Sequence, residues 1–180
     1  RNRVQDQFFM LGNLVGEEVL AGTDEAYADE TFDEGRTFTL GGVTFEVRHL
    51  GPAHTPGDSI VWLPGERVVF TGDIVYVERM LGVMPYSSSR HWITAFREMA
   101  ALEPETVVPG HGPACGLEKA RADTFDYLVF LRESVGGFMG AGGGITEVGT
   151  LDQSRFDYLV NFDSLAGRNA QQVYQEMEWE

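Results

Sequence analysis

The stretch Gly51-Pro52-Ala53-His54-Thr55-Pro56-Gly57-Asp58 follows a run of alternating apolar residues and ends it with two prolines and two glycines. It reads as a loop at a strand end, presenting the imidazole of His54. Two further strings share this construction. Phe70-Thr71-Gly72-Asp73 closes an apolar run with a carboxylate, and Val107-Val108-Pro109-Gly110-His111-Gly112-Pro113 closes another with a second imidazole. Sites concentrate at strand ends of α/β sheets, where loops present side chains on a rigid scaffold. Two neutral imidazoles and a carboxylate form a nitrogen–oxygen donor set that a borderline cation such as zinc accepts at about 2.0–2.2 Å. An aspartate can bridge two cations through its two oxygens, and glycines beside such a centre let backbone approach where a Cβ would clash. Alone, each residue has an ordinary reading: a loop histidine for His54, a turn cap for Asp73, a strand-end hydrogen-bonding group for His111. Their combination is what points to a metal centre.

Around these strings the chain alternates between strand-like and helix-like patterning. Residues 37–40 and 43–47 alternate in period two around Gly41-Gly42, a tight hairpin turn. Residues 59–63 and 68–71, joined by Pro64-Gly65-Glu66-Arg67, form a second hairpin, which Ile74 to Val77 extends. Residues 91–102 have helical spacing at Trp92, Ile93, Phe96, Met99 and Ala100, with Ser89 as the expected cap. Residues 106–108 are a short strand, and 117–135 carry the clearest helical stripe: Leu117, Ala120, Thr124, Tyr127, Leu128, Leu131, Val135. Residues 136–149 hold seven glycines in fourteen positions and read as a flexible connector, followed by short helices over 156–160 and 170–177. At the other end, residues 1–22 are loosely helical, weakened by Gly12 and Gly16, and 23–36 form an acidic loop. Alternating strands and helices favour a layered α/β arrangement. The expected organisation is a domain over 1–135, then a connector and helical segment over 136–180 packed on that domain.

The 180 residues suffice for one domain with a substantial core. Thirteen Lys and Arg against 28 Asp and Glu leave a net charge of −15, which repels phosphate backbones, so no nucleic-acid partner is expected. The single cysteine, Cys115, excludes an intrachain disulfide and a Cys-rich zinc site, and reads as a small buried residue at a helix start. No apolar run is long enough to span a bilayer, and Arg1 leads into no signal-peptide core. A soluble protein of cytoplasm or periplasm, with no membrane partner, is expected. Ser87-Ser88-Ser89 lacks the G-x-S-x-G elbow, and the glycines of 140–146 lack the Lys-Ser/Thr of a phosphate-binding loop.

In this order, "GPAHTPGD", "FTGD" and "VVPGHGP" resemble the third, fourth and fifth motifs of the metallo-β-lactamase superfamily, over roughly residues 35–135. The resemblance implies an α/β (α+β) fold of the αββα sandwich type, of which this chain holds largely the second half. It implies a two-zinc site, with His54 on one metal, His111 on the other, and Asp73 bridging both as the catalytic carboxylate. It further implies metal-dependent hydrolysis of a small-molecule substrate, in which a metal-activated hydroxide attacks an ester, thioester or similar bond. Asp73, where the antibiotic-destroying lactamases carry Cys, points to the wider hydrolase branch that includes glyoxalase II-like thioesterases. Asp58 is expected to hold the His54 loop by hydrogen bonding. Arg79, Met84, Tyr86 and Arg90 lie in the stretch that passes the pocket mouth in this family.

One family motif has no counterpart here. The string His-X-His-X-Asp-His is absent, His49 and His91 are isolated, and only 53 residues precede His54. The simplest expectation is that the sequence begins downstream of that motif. Three ligands for two metals then imply weak or partial occupancy. A half-sandwich leaves a sheet face or edge open, so a homo-oligomer is expected. Two other readings compete. One is a metal-free, non-catalytic remnant that oligomerises or binds. The other is a flavodiiron-type redox protein, which needs a fuller carboxylate set and a flavin domain that are not visible here.

Overall fold

The computed structural model describes every residue except Arg1, Glu17 and Glu25, with the backbone alone for residues 2–7. The chain divides into two compact units, residues 1–32 and Asp33–Glu180. The first holds helix α1 (Asn2–Val15). Gly12 is tolerated inside it, whereas Gly16 takes φ +92° and donates its N–H to the Gly12 carbonyl at 2.9 Å. That is the left-handed exit which only glycine adopts without strain.

The second unit is built on a five-stranded sheet whose spatial order follows the sequence: β1 (Gly35–Leu40), β2 (Val43–His49), β3 (Ser59–Leu63), β4 (Val68–Tyr76) and β5 (Thr106–His111). Both expected hairpins are present. Leu40 faces Val43 across Gly41 and Gly42, which both take positive φ, as a two-residue hairpin turn demands. The β4–β5 pair is parallel and is connected through helix α2 (Ser89–Ala100). Ser88, one residue before the expected cap, is the actual N-cap of α2, and its hydroxyl accepts from the His91 N–H. Ser89 instead begins the helix and turns its side chain to Glu176.

The helical stripe over 117–135 is one rod with an internal defect. Helix α3 (Leu117–Ala120) passes through a π-turn (Arg121–Phe125) into α4 (Asp126–Gly140). The glycines at 136, 137 and 140, expected in a connector, lie inside α4. Close packing accounts for the first of them: a Cβ on Gly136 would stand 3.2 Å from Met177 of α5 (Phe162–Met177), so tertiary contact there overrides weak helix propensity.

Alternation along the strands gives the sheet two unlike faces. Ile60, Trp62, Val69 and Val107 point to one side and join a single core with Trp92, Phe96 and Met99 of α2 and Tyr127, Leu128 and Leu131 of α4. Side chains of this size contribute roughly 1.5–3 kcal/mol each when fully buried. The opposite face carries Phe38, Leu40, Phe45, Val47, Val61 and Phe70, in register as Phe38–Phe45, Val47–Val61 and Val61–Phe70. Phe38, Leu40 and Phe70 remain exposed there, and Phe38 stacks on Phe45 at 5.2 Å.

Helix α5 is tied down by buried polar pairs. Asn169 accepts from the Val83 N–H and donates to the Leu81 carbonyl, at 2.9 and 2.8 Å. Glu176 accepts from the Ser89 N–H at 2.9 Å and from the Ser88 hydroxyl at 3.2 Å, capping α2 from outside. No helix among the described residues is long and apolar enough to cross a membrane.

Candidate metal centre

All three expected donors meet at the ends of β4 and β5. Nε2 of His54 lies 3.7 Å from Oδ2 of Asp73, and Nε2 of His111 lies 3.6 Å from Oδ1. Each imidazole therefore faces a different oxygen of one carboxylate. Both gaps exceed a hydrogen bond. Two donors that each hold a cation at about 2.0–2.2 Å stand this far apart. His54 is largely enclosed, and its Nδ1 is buried with no hydrogen-bond partner among the described residues. The donor types and spacing thus fit a shared-carboxylate centre. The number of donors is short: among the described residues no three such side chains surround a single point. The trio is strung out with Asp73 in the middle, so each cation would have one imidazole and one carboxylate oxygen from these residues.

The loops are held from several sides. Asp58 accepts from the Thr55 N–H at 2.9 Å and from the Thr55 hydroxyl, closing the turn that carries His54, as expected. The Ser87 hydroxyl donates to the His54 carbonyl at 2.7 Å, and the Ser88 N–H donates to the Ala53 carbonyl at 2.9 Å. Around the His54 ring stand Trp92, Tyr76 and Tyr86, with centroids 5.5, 6.0 and 6.3 Å away. On the other side, a Cβ on Gly110 would fall 2.2 Å from Asp73 Oδ1, and one on Gly112 would fall 2.1 Å from the Val77 carbonyl. Glycine is therefore required at both positions of the VVPGHGP string.

Tyr76 was not anticipated as a site residue. Its phenol donates to Asp73 Oδ2 at 2.9 Å, and its ring stacks on His111 at 4.8 Å. Burial, then the neighbouring Asp73 charge, push this phenol above the ordinary tyrosine range, so it stays protonated and a donor. In a regular strand, residues three apart point to opposite faces. Here register shifts at Gly72 and before Tyr76 return the ring to the side of Asp73. The π-turn fixes this end of β4: Thr124 Oγ1 accepts from the Tyr76 N–H at 2.9 Å and donates to its carbonyl at 2.6 Å. From the same π-turn, the adjacent Asp123 accepts from the Glu78 N–H at 2.7 Å.

Of the four residues expected at the pocket mouth, Arg79 lies at the trio, its guanidinium donating to His111 Nδ1 at 3.4 Å. Tyr86 packs edge-on to the His54 ring, whereas Met84 and Arg90 use their N–H groups to hold the Ser87 hydroxyl and Glu176. His49 and His91 serve locally, beside the Asp58 carbonyl at 2.7 Å and the Ser88 hydroxyl at 2.9 Å. Cys115 pairs its backbone with Val107, and burial raises its thiol.

The chain is similar to an acyl-coenzyme A thioesterase from Gallus gallus, at 29% identity over 53% of this chain and 35% of the relative. It is likewise similar to the metallo-beta-lactamase type 2 of Elizabethkingia meningoseptica, at 27% identity over 53% of this chain and 40% of that protein. A metallo-beta-lactamase from Pontibacter korlensis superposes with a TM-score of 0.53 at 27% identity, over 62% of this chain and 54% of that one. The chain spans between 22% and 40% of the length of the curated relatives it matches. The sequence model described as the Metallo-beta-lactamase superfamily matches residues 3–111, so the likeness begins well before the roughly 35 at which the motifs first suggest it, and the chain belongs to that superfamily.

Proposed function

We propose that this chain is a metal-dependent hydrolase, or part of one, that cuts an ester, thioester or similar bond in a small molecule. The observation that carries this reading is the Asp73 carboxylate, whose two oxygens face His54 and His111 separately. His54, Asp73 and His111 would hold the metal, with Asp73 the shared ligand and catalytic carboxylate. Zinc, when bound, supplies Lewis acidity that polarises a carbonyl and lowers the pKa of water. The residues' own contributions are orientation and enclosure. Trp92, Tyr76 and Tyr86 wall the His54 side, and the Ser87 hydroxyl fixes the loop. Arg79 offers a positive charge beside His111. The thioesterase relative makes thioesters the first substrates to try.

The test is elemental mass spectrometry on protein purified without chelator, followed by a thioester and ester hydrolysis screen with and without added zinc. With one imidazole and one carboxylate oxygen for each cation, partial zinc occupancy that added zinc raises, together with zinc-dependent turnover, is the expected result, and a full complement of two would mean that further ligands complete the site. Trace metal that added zinc does not raise, with no turnover, would favour the metal-free binding reading. Homo-oligomerisation belongs to the same proposal. The open sheet face, with Phe38, Leu40 and Phe70 exposed, fits a second copy of itself, because it is mostly apolar whereas the chain as a whole is strongly acidic.

A further inference from the structure

We propose that Tyr76 is a positioning residue for the metal centre: its phenol fixes the rotation of the Asp73 carboxylate so that the two oxygens stay divided between His54 and His111. This inference rests on the metal-hydrolase reading and adds a residue to it.

A carboxylate on one side-chain bond is free to turn about that bond. Turned, it could offer both oxygens to one cation and none to the other. In this site each oxygen is confined. Oδ1 faces His111 and lies against the Gly110 backbone, where even a methyl group has no room. Oδ2 faces His54 and accepts the Tyr76 O–H at 2.9 Å. The phenol occupies one lone pair of Oδ2 and leaves another for a cation. It thereby opposes chelation of one ion by both oxygens.

The phenol can do this because it is itself immobilised. Its residue is 5% exposed. Its ring is stacked on His111 with an interplanar angle of 29° and tilted against Trp92 at 6.3 Å. Its backbone N–H and carbonyl are both taken by the one hydroxyl of Thr124. That hydroxyl reaches the strand from a π-turn, a rare helix defect that frequently marks functional sites. Partners of this kind, one bond removed from a metal, are worth about 10–100-fold in metal affinity when deleted.

The experiment uses the whole chain, stripped with chelator, and titrates it with cobalt(II) while the visible ligand-field bands are recorded. Wild type, Tyr76→Phe, Asp73→Asn and the double variant are compared, with far-ultraviolet circular dichroism to confirm folding. Tyr76→Phe keeps the ring and its stacking. It is expected to weaken cobalt binding by about 10–100-fold and to alter the bands. In the Asp73→Asn background the same change is expected to have no further effect, since Tyr76 acts through Asp73. Wild-type affinity and spectrum in Tyr76→Phe, or an equal loss in both backgrounds, would overturn the inference while leaving the hydrolase reading standing. Absence of cobalt binding by the wild type would overturn that reading, and this inference with it. Should Tyr76→Phe fail to fold, Thr124→Val decides. It frees the Tyr76 backbone, and a loss in the same direction supports the inference while unchanged affinity overturns it.

Discussion

The hydroxyl of Ser87 donates to the backbone carbonyl of His54 at 2.7 Å, joining two loops 33 residues apart. The same oxygen accepts the Met84 N–H at 3.0 Å, so it is a full junction. The loop before α2 is therefore the outer wall of the His54 loop, and Glu176 of α5 anchors that wall in turn. Ser87→Ala leaves a half-buried carbonyl and an N–H without their partner. The expected cost is about 1–2 kcal/mol in urea unfolding, with weaker zinc uptake in a chelator competition. Equal zinc affinity in variant and wild type would mean the loop needs no such support.

Gly110→Ala tests the other side of the centre. The new Cβ would stand 2.2 Å from Asp73 Oδ1 and 2.6 Å from the Gly72 carbonyl carbon, and one of these is backbone that cannot step aside. Overpacking of this kind costs about 1–3 kcal/mol. Here it should also push the carboxylate off its position, so metal affinity should fall further than stability alone explains. Gly137→Ala is the control, since nothing lies within 4 Å of its Cβ and the residue is helical. That change should raise stability by about 0.5–1 kcal/mol with metal affinity untouched. Denaturant midpoints and zinc titrations on both variants separate the two effects.

His54, Asp73 and His111 were legible because each ends an apolar strand pattern on a Gly/Pro loop, a signal that survives in sequence. The hairpins were legible for the same reason: Gly41-Gly42 permits only a turn. Tyr76 was not legible. Period-two reading sends it away from Asp73, and the bulge at Gly72 that reverses this is a property of the β4–β5 register, not of local composition. The glycines of α4 misled in the opposite direction, because the helix around them is held by tertiary packing, with Leu128, Leu131 and Val135 of α4 fully buried in the core. Helix caps are uncertain by a residue or so from sequence, and Ser88 in place of Ser89 is an instance.

The uncovered sheet face yields a prediction about assembly. Leu40 is 69% exposed and Phe70 43% exposed, on the same face of the sheet but on separate strands, β1 and β4. If a second copy covers this face, Leu40→Lys with Phe70→Lys should place a charge on both strands and abolish association, while neither side chain belongs to the core on the helical side. Sedimentation equilibrium should show wild-type dimers or larger species at tens of micromolar and monomers for the double variant. A monomeric wild type across the accessible concentration range would rule the self-pairing out.

Alkaline pH probes the pin behind the β4 end. Tyr158 donates its O–H to Asp123 Oδ1 at 3.0 Å, and Asp123 also holds the Glu78 N–H and Lys119. Burial of the phenol first, then this hydrogen bond and the Asp123 charge, push the Tyr158 pKa up to about 12. In the unfolded chain a tyrosine ionises near 10. Between about pH 10 and 12 the unfolded state therefore binds fewer protons than the folded one, and stability must fall as pH rises through that window. Below pH 10 the contribution is fully present. Tyr158→Phe has no proton to lose, so its unfolding free energy should be lower than wild type at neutral pH and should fall less steeply from pH 10 to 12. Urea unfolding at pH 8, 10 and 11 measures both slopes. Parallel slopes would show that the phenol proton is not held by Asp123 in the folded protein.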